Sequence, residues 1–328
     1  MDLRKLICPS PVFLTCVFVL FLVVLPVSPA KAGEGFGNHA MGGGEDFNTG
    51  NLPPPGSFIL INYFASVRGT AIKDNSGHDE TIPGLGKISL TSRTVADSIR
   101  LVNVTRFKVL NGDFLWHVIV PGCNRYTDKK VSGIDLGTQS KTGLGDIAFG
   151  GGIAWHPATT FHCVTIVSIY APTGAYHLGE VTNIGRNYWS INPSMGFTYK
   201  GDKDSPLPGF EASAKVMYWI NTINTDTSYT SGQEISVDYI LAKHIGKWGF
   251  GVNGYATYQF MDDKAHGHKA HDPVNGLDTG MRGKSFSAGP ALSYGWPGWC
   301  ITVKYQWDLY VRNRVEMNNF WLKVAKTF

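Results

Sequence analysis

The sequence predicts an all-β protein, a closed antiparallel transmembrane β-barrel of about 12 strands, on three observations. The N-terminus carries an export signal. Segments longer than ordinary strands then alternate strictly between apolar and polar residues. Short turns and long polar loops alternate between those segments. The 328 residues suffice for one such domain. Only 16% of them are charged, against about 25% in an ordinary soluble domain. Gly (39 residues) and aromatics (12%) are abundant, and the net charge of +4 is too small to suggest nucleic acid as a partner.

Arg4 and Lys5 precede an apolar core, Val12 to Leu25, which Pro26 and Pro29 end. Ala30-Lys31-Ala32 has the small-x-small form of a signal-peptidase site. Residues 1–32 therefore read as a signal peptide cleaved after Ala32, since the apolar core is shorter than the roughly 20 residues a spanning helix needs. Residues 33–57 read as a flexible Gly/Pro-rich segment and residues 58–328 as the barrel. Two of the five cysteines fall within the signal. Cys123, Cys163 and Cys300 read as isolated thiols, with a single bridge involving Cys123 left open.

Successive side chains of a strand point to opposite faces. Trp189, Ile191, Pro193, Met195, Phe197 and Tyr199 share one face, and Ser190, Asn192, Ser194, Gly196, Thr198 and Lys200 the other. Ile301, Val303, Tyr305, Trp307, Leu309 and Val311 oppose Thr302, Lys304, Gln306, Asp308, Tyr310 and Arg312. Ile235, Val237, Tyr239 and Leu241 oppose Glu234, Ser236 and Asp238. The i, i+3, i+4, i+7 spacing of an amphipathic helix is missing. Strands are expected over 58–68, 98–110, 113–121, 143–155, 160–173, 186–200, 209–223, 232–245, 247–261, 282–296, 298–311 and 316–328. Arg106 and Lys108 alternate poorly, which suggests a bulge. Tight turns are expected at Asn111-Gly112, 156–159, 245–247 and 296–298, with longer links at 69–97, 122–142, 174–185, 224–231 and 262–281. An even strand number places both termini in the periplasm.

In hydrocarbon every backbone polar group needs an internal partner, so a spanning sheet must close. Its apolar face then meets lipid and its polar face a lumen. Trp155, Trp189, Tyr199, Trp248, Phe260, Trp296 and Trp307 fall near strand ends, where an interfacial aromatic girdle sits, whereas Trp321 points inward by parity. Phe320, Leu322, Val324 and the terminal Phe328 share one face of the last strand. That pattern resembles the signal read by the barrel assembly machinery, from which Lys326 departs.

By the same parity the lumen-lining candidates are Asp146, Glu211, Lys215, Glu234, Asp238, Lys304, Gln306, Asp308 and Lys323. Their plain role is to satisfy one another in a wet lumen and hold it round. A transverse field that orients a polar solute is the functional alternative. In the loop 262–272, His266, His268 and His271 are candidate metal ligands beside three aspartates, the plain reading being a polar external loop. No cofactor is expected and no catalytic residue is assigned. A barrel lipase would need a lipid-facing His and Ser at matched depth, and His117, His162 and His244 are scattered.

Leu52-Pro53-Pro54-Pro55-Gly56, followed at once by the aromatic strand from Phe58, resembles the outer-membrane proteins of the meta-pathway phenol-degradation family. Gly143-Leu144-Gly145-Asp146 and Pro172-Thr173-Gly174 fit its pattern as well. The resemblance implies a channel in a Gram-negative cell outer membrane for passive uptake of small hydrophobic or aromatic molecules. Its partners would be membrane lipids, the assembly machinery and the solute. A structural or adhesive barrel and a barrel lipase are the alternatives, and a monomer and a trimer both remain open. On residues alone the tri-proline is a stiff extended segment, expected as a plain lead-in to the first strand, with a plug in the barrel mouth as the alternative.

Overall fold

The structure is a computed structural model and describes residue 34 and residues 37–328. The expected signal peptide lies outside the described residues. Twelve strands build the wall: β1 (Phe58–Ile72), β2 (Gly86–Val109), β3 (Gly112–Val131), β4 (Ala148–Ala158), β5 (Phe161–Tyr170), β6 (Ser190–Lys200), β7 (Phe210–Asn221), β8 (Glu234–Ile245), β9 (Trp248–Gln259), β10 (Lys284–Trp296), β11 (Trp299–Arg312) and β12 (Val315–Thr327). Each pairs antiparallel with the next, and β12 returns to β1 from Ile59↔Thr327 to Ile72↔Val315. The ring closes, so no wall strand presents a free edge to lipid.

The inside–outside alternation follows the sequence. In β6, Ser190, Asn192, Ser194, Gly196 and Thr198 are buried, while Ile191 and Met195 are exposed. Interfacial aromatics gather at both rims. Trp248 packs on Tyr294 with centroids 4.6 Å apart at the end with short turns, and Tyr218 stacks on Phe260 at 5.9 Å at the end with long loops. Two local departures have local causes. Pairing between β2 and β3 slips between Val104 and Lys108, which spans the irregular Arg106 and Lys108. In β11, Leu309 is skipped in the pairing with β10, and this bulge reverses the parity beyond it. Val311, expected to face lipid, is therefore buried, and Tyr310 is exposed.

Two expected loops are largely strand. β2 begins at Gly86 and β3 runs to Val131, and Ile134–Leu144 pairs back along β3. The expected loops 69–97 and 122–142 shrink accordingly, and the wall strand expected from 143 starts at Ala148. Ile134–Leu144 is exposed along almost its whole length. A ribbon in water on both sides has no oily face, so its sequence carries no alternation to read.

The larger correction concerns the N-terminal segment, expected to be a flexible lead-in. Residues 37–57 pass down the lumen from the loop end to the turn end. Glu34 lies at the loop end, where its amide donates to Ser231 Oγ at 2.9 Å. Leu52 reaches the turn end and packs against a cluster that includes Ile59, Val102, Leu115 and Val164. Only the stretch beyond it, with Pro54 and Pro55 exposed, serves as lead-in. Phe58 and Phe328 meet at the turn end, so the wall's first and last strands share that side as expected, but the described chain starts at the opposite one. Glycine permits the close approach: a Cβ on Gly50 would lie 2.7 Å from the His162 carbonyl oxygen.

Candidate functional site: the plugged lumen

The plug is held by charge as much as by shape. Glu45 accepts from Arg100 of β2 at 2.8 Å and from Lys215 of β7 at 3.1 Å. One residue on, Asp46 bonds Lys304 of β11 at 2.9 Å and also Lys323 of β12. Lys304, 1% exposed, donates further to the carbonyl oxygens of Gly44 and Glu45. Two adjacent plug carboxylates thus each bond two wall cations. A buried pair with this many hydrogen bonds gains little net stability, but breaking it by removing one partner is costly. The arrangement therefore fixes one register of the plug.

Backbone amides do the converse work. Asp238 of β8 accepts from the amides of Gly43 and Glu45 at 2.8 and 3.0 Å, and Glu211 of β7 accepts from that of Asn48 at 2.6 Å. Gly50 donates to Thr198 Oγ1 at 2.9 Å. Phe47 is buried with Ile240, Ala242 and Ala291. Nearer the loop end, Glu234 accepts from the Asn38 side chain at 2.6 Å and pairs with Arg314. Asp146 bonds His39 at 2.9 Å and caps the amides of Gly174 and Arg186.

All nine sequence-predicted lumen residues therefore face inward. Eight of them, Asp146, Glu211, Lys215, Glu234, Asp238, Lys304, Gln306 and Lys323, touch the plug rather than only one another; Gln306 donates to the Gly43 carbonyl at 3.3 Å. Asp308 is the ninth and takes Tyr255 Oη at 2.6 Å and the Met317 amide at 2.8 Å. Sequence reasoning missed their partners Glu45, Asp46 and Arg100. Arg100 carried a readable signal, since it is the one cation at an inward position in the middle of β2.

Beside the plug, toward the loop end, lies a cavity of about 300 Å³. Its wall on β1 and β2 is made of small residues, with Ala65 paired to Ala96 across the strands. Those positions leave room. Tyr63, Tyr170, Trp219 and Trp321 supply aromatic surface, with Tyr170 and Trp219 centroids 5.2 Å apart. Ile184, Met41 and Met317 add apolar surface, and Arg125, Arg186 and Arg314 line the loop-end side.

The other candidates are not gathered into a site. His266, His268 and His271 are exposed on the loop, and among the described residues no three His, Cys, Asp or Glu side chains come together as metal ligands. His117 meets Ser168 at 3.0 Å, but both are buried inside the barrel rather than on the lipid face a lipase site would need. His162 contacts His156 at the turn end, and His244 bonds Glu211. Cys123, Cys163 and Cys300 are free thiols.

Residues 73–324 match the family described as "Putative MetA-pathway of phenol degradation". The chain belongs to this family. Among solved structures, the chain is similar to the COG4313 outer membrane channel from Pseudomonas putida F1, at a TM-score of 0.68 and 14% identity over 84% of this chain and 97% of that one. At that identity the likeness speaks for the fold, which is thus that of an outer-membrane channel. The TodX deltaS2S3 mutant monoaromatic hydrocarbon channel (TM-score 0.38, 10% identity, 86% and 92% covered) and a Pseudomonas aeruginosa FadL homologue (0.35, 11%, 83% and 89%) are also similar, too remotely to inform this chain. A search of curated protein sequences finds no match.

Proposed function

We propose that this family member is a plugged channel of the Gram-negative outer membrane, which passes small hydrophobic or aromatic molecules passively from the loop end, outside the cell, toward the periplasm. The observation that carries this reading is the cavity beside the plug, walled by Tyr63, Tyr170, Trp219, Trp321 and small apolar residues. A water-filled porin lumen would not bury a charged, hydrogen-bonded segment along its axis. The plug excludes hydrated polar solutes, and the aromatic wall offers a desolvated surface to one ring at a time. Membrane lipid on the outer face and the assembly machinery during insertion are the partners that support this route, and residues 1–32 are the proposed export signal.

The test is uptake of labelled phenol at limiting concentration by a strain lacking the protein and by the complemented strain. The expected result is slower uptake without the protein, restored on complementation. Equal uptake in both strains overturns the reading.

A further inference from the structure

We propose that the cavity selects aromatic solutes that carry a carboxylate, and that Arg125 of β3 receives that carboxylate; this rests on the channel reading above.

Five carboxylates line the cavity: Glu45, Asp146, Glu234, Asp238 and Asp308. Each already accepts from lysine, arginine, tyrosine, asparagine, histidine or backbone N–H groups. The unmet capacity lies on the other side of the ledger. Among the described residues lining the cavity, the buried side-chain polar atoms without a hydrogen bond are Nε of Arg100, Arg125 and Arg314, and Nε2 of His39. Three of the four are guanidinium donors, which cannot act as acceptors. Burying donors without partners is unfavourable, and an anion is the species that would satisfy them.

Arg125 is the best placed of the three. Arg100 already bonds Glu45, and Arg314 already bonds Glu234. Arg125 donates through Nη1 to the Asn183 carbonyl oxygen at 3.1 Å, and among the described residues no carboxylate reaches it. That leaves its buried Nε without a partner, and Nε with Nη2 is the side-on fork that takes both oxygens of a carboxylate in one plane. Arg186 is close enough for the two charges to act on each other, which deepens the positive field at that point.

The strand register puts small residues one inward step from Arg125. Arg125 lies across from Thr94, and one inward position further down, Cys123 lies across from Ala96, which pairs with Ala65. A ring resting over those alanines, between Trp321 and Tyr63, would point its substituent at Arg125. The volume, about 300 Å³, is at the lower end for ligand pockets and suits one ring rather than a fused system.

The test uses the purified, folded barrel in detergent at neutral pH, with quenching of tryptophan fluorescence as readout because Trp219 and Trp321 line the cavity. Benzoate and phenol are the probes, with acetate as the carboxylate without a ring. Benzoate is expected to bind at least about tenfold more tightly than phenol, the gain of a charge-assisted bidentate pair, with acetate far weaker than either. Arg125→Met, which keeps the bulk, is expected to abolish the benzoate advantage over phenol. Its fold is checked by the heat-modifiable gel shift of barrels, and Arg125→Lys serves as a second variant, expected to recover only part of the preference. Equal binding of benzoate and phenol, or an advantage that survives Arg125→Met, overturns the proposal and leaves the channel reading standing. No binding of any aromatic probe, together with unchanged phenol uptake in the deletion strain, overturns both.

Discussion

Replacement of Asp46 by Ala will open the barrel. Lys304 and Lys323 converge on this one carboxylate in the lumen. Without it, two cations remain buried, Lys304 with the carbonyl oxygens of Gly44 and Glu45 and Lys323 with only the charge of Glu45 nearby. Breaking a buried pair by removing one partner costs about 3–5 kcal/mol. None of that cost falls on the wall, whose hydrogen-bond ladder runs strand to strand without the plug. It falls on the plugged state alone, so the ratio of unplugged to plugged molecules should rise by roughly 10²–10⁴. Single-channel recording in planar bilayers reads this directly: the native protein is expected to show small or rare openings, and Asp46→Ala long openings of larger conductance. Conductance unchanged from the native protein would mean that the remaining contacts, Glu45 with Arg100 and Lys215 among them, hold the plug unaided.

The second large effect is expected on the outer surface. Val252, 53% exposed near the middle of β9, faces away from the lumen, whereas the next residue, Asn253, is fully buried inside. If that outer face meets hydrocarbon, Val252→Arg should destabilise the folded barrel by about 2–4 kcal/mol, and Trp248→Arg at the turn-end rim by no more than about 1 kcal/mol for the charge itself. Urea unfolding in lipid vesicles measures both. Equal, small effects at the two depths would show that this face does not sit in a bilayer.

The wall was legible in the sequence because lipid imposes its period on the residues. β6 and β12 could be placed within a few positions, since every second side chain had to be apolar. The outer ends of β2 and β3 and the strand Ile134–Leu144 were not legible, because both faces of that ribbon are wet and pairing there rests on backbone bonds that any sequence can make. Val311 was misassigned for a different reason. A single skipped residue, Leu309, reverses parity, and nothing in the local composition announces it.

The lumen was half legible. Parity identified nine inward polar residues but not their partners, since a charge at an inward position says nothing about what it faces across the pore. The plug hid behind its composition. Gly-rich stretches usually read as flexible, yet Gly43 and Gly50 serve contact, letting the chain lie against Gln306 and the β5–β6 wall. The clue was Glu45-Asp46-Phe47, two acids and an aromatic in a segment otherwise poor in both. The two acids bond the inward cations Arg100, Lys215, Lys304 and Lys323 of the wall. Arg125 was illegible for the reason that Ile134–Leu144 was, since it lies on the part of β3 that reads as loop.

The central claim is that the plug divides the lumen, with an aromatic antechamber toward the cell exterior and a sealed passage below. The protein's own thiols report on both sides. Cys123 lines the antechamber, and Cys300 shares the inward face of β11 with Thr302 and Lys304 near the turn end. The decisive measurement is modification of intact cells from outside with a small, charged, membrane-impermeant methanethiosulfonate, followed by mass spectrometry of the two cysteine peptides. The account predicts that Cys123 reacts and Cys300 does not, and that Cys300 becomes reactive in Asp46→Ala. Equal labelling of both thiols in the native protein would show a continuous open pore and contradict it.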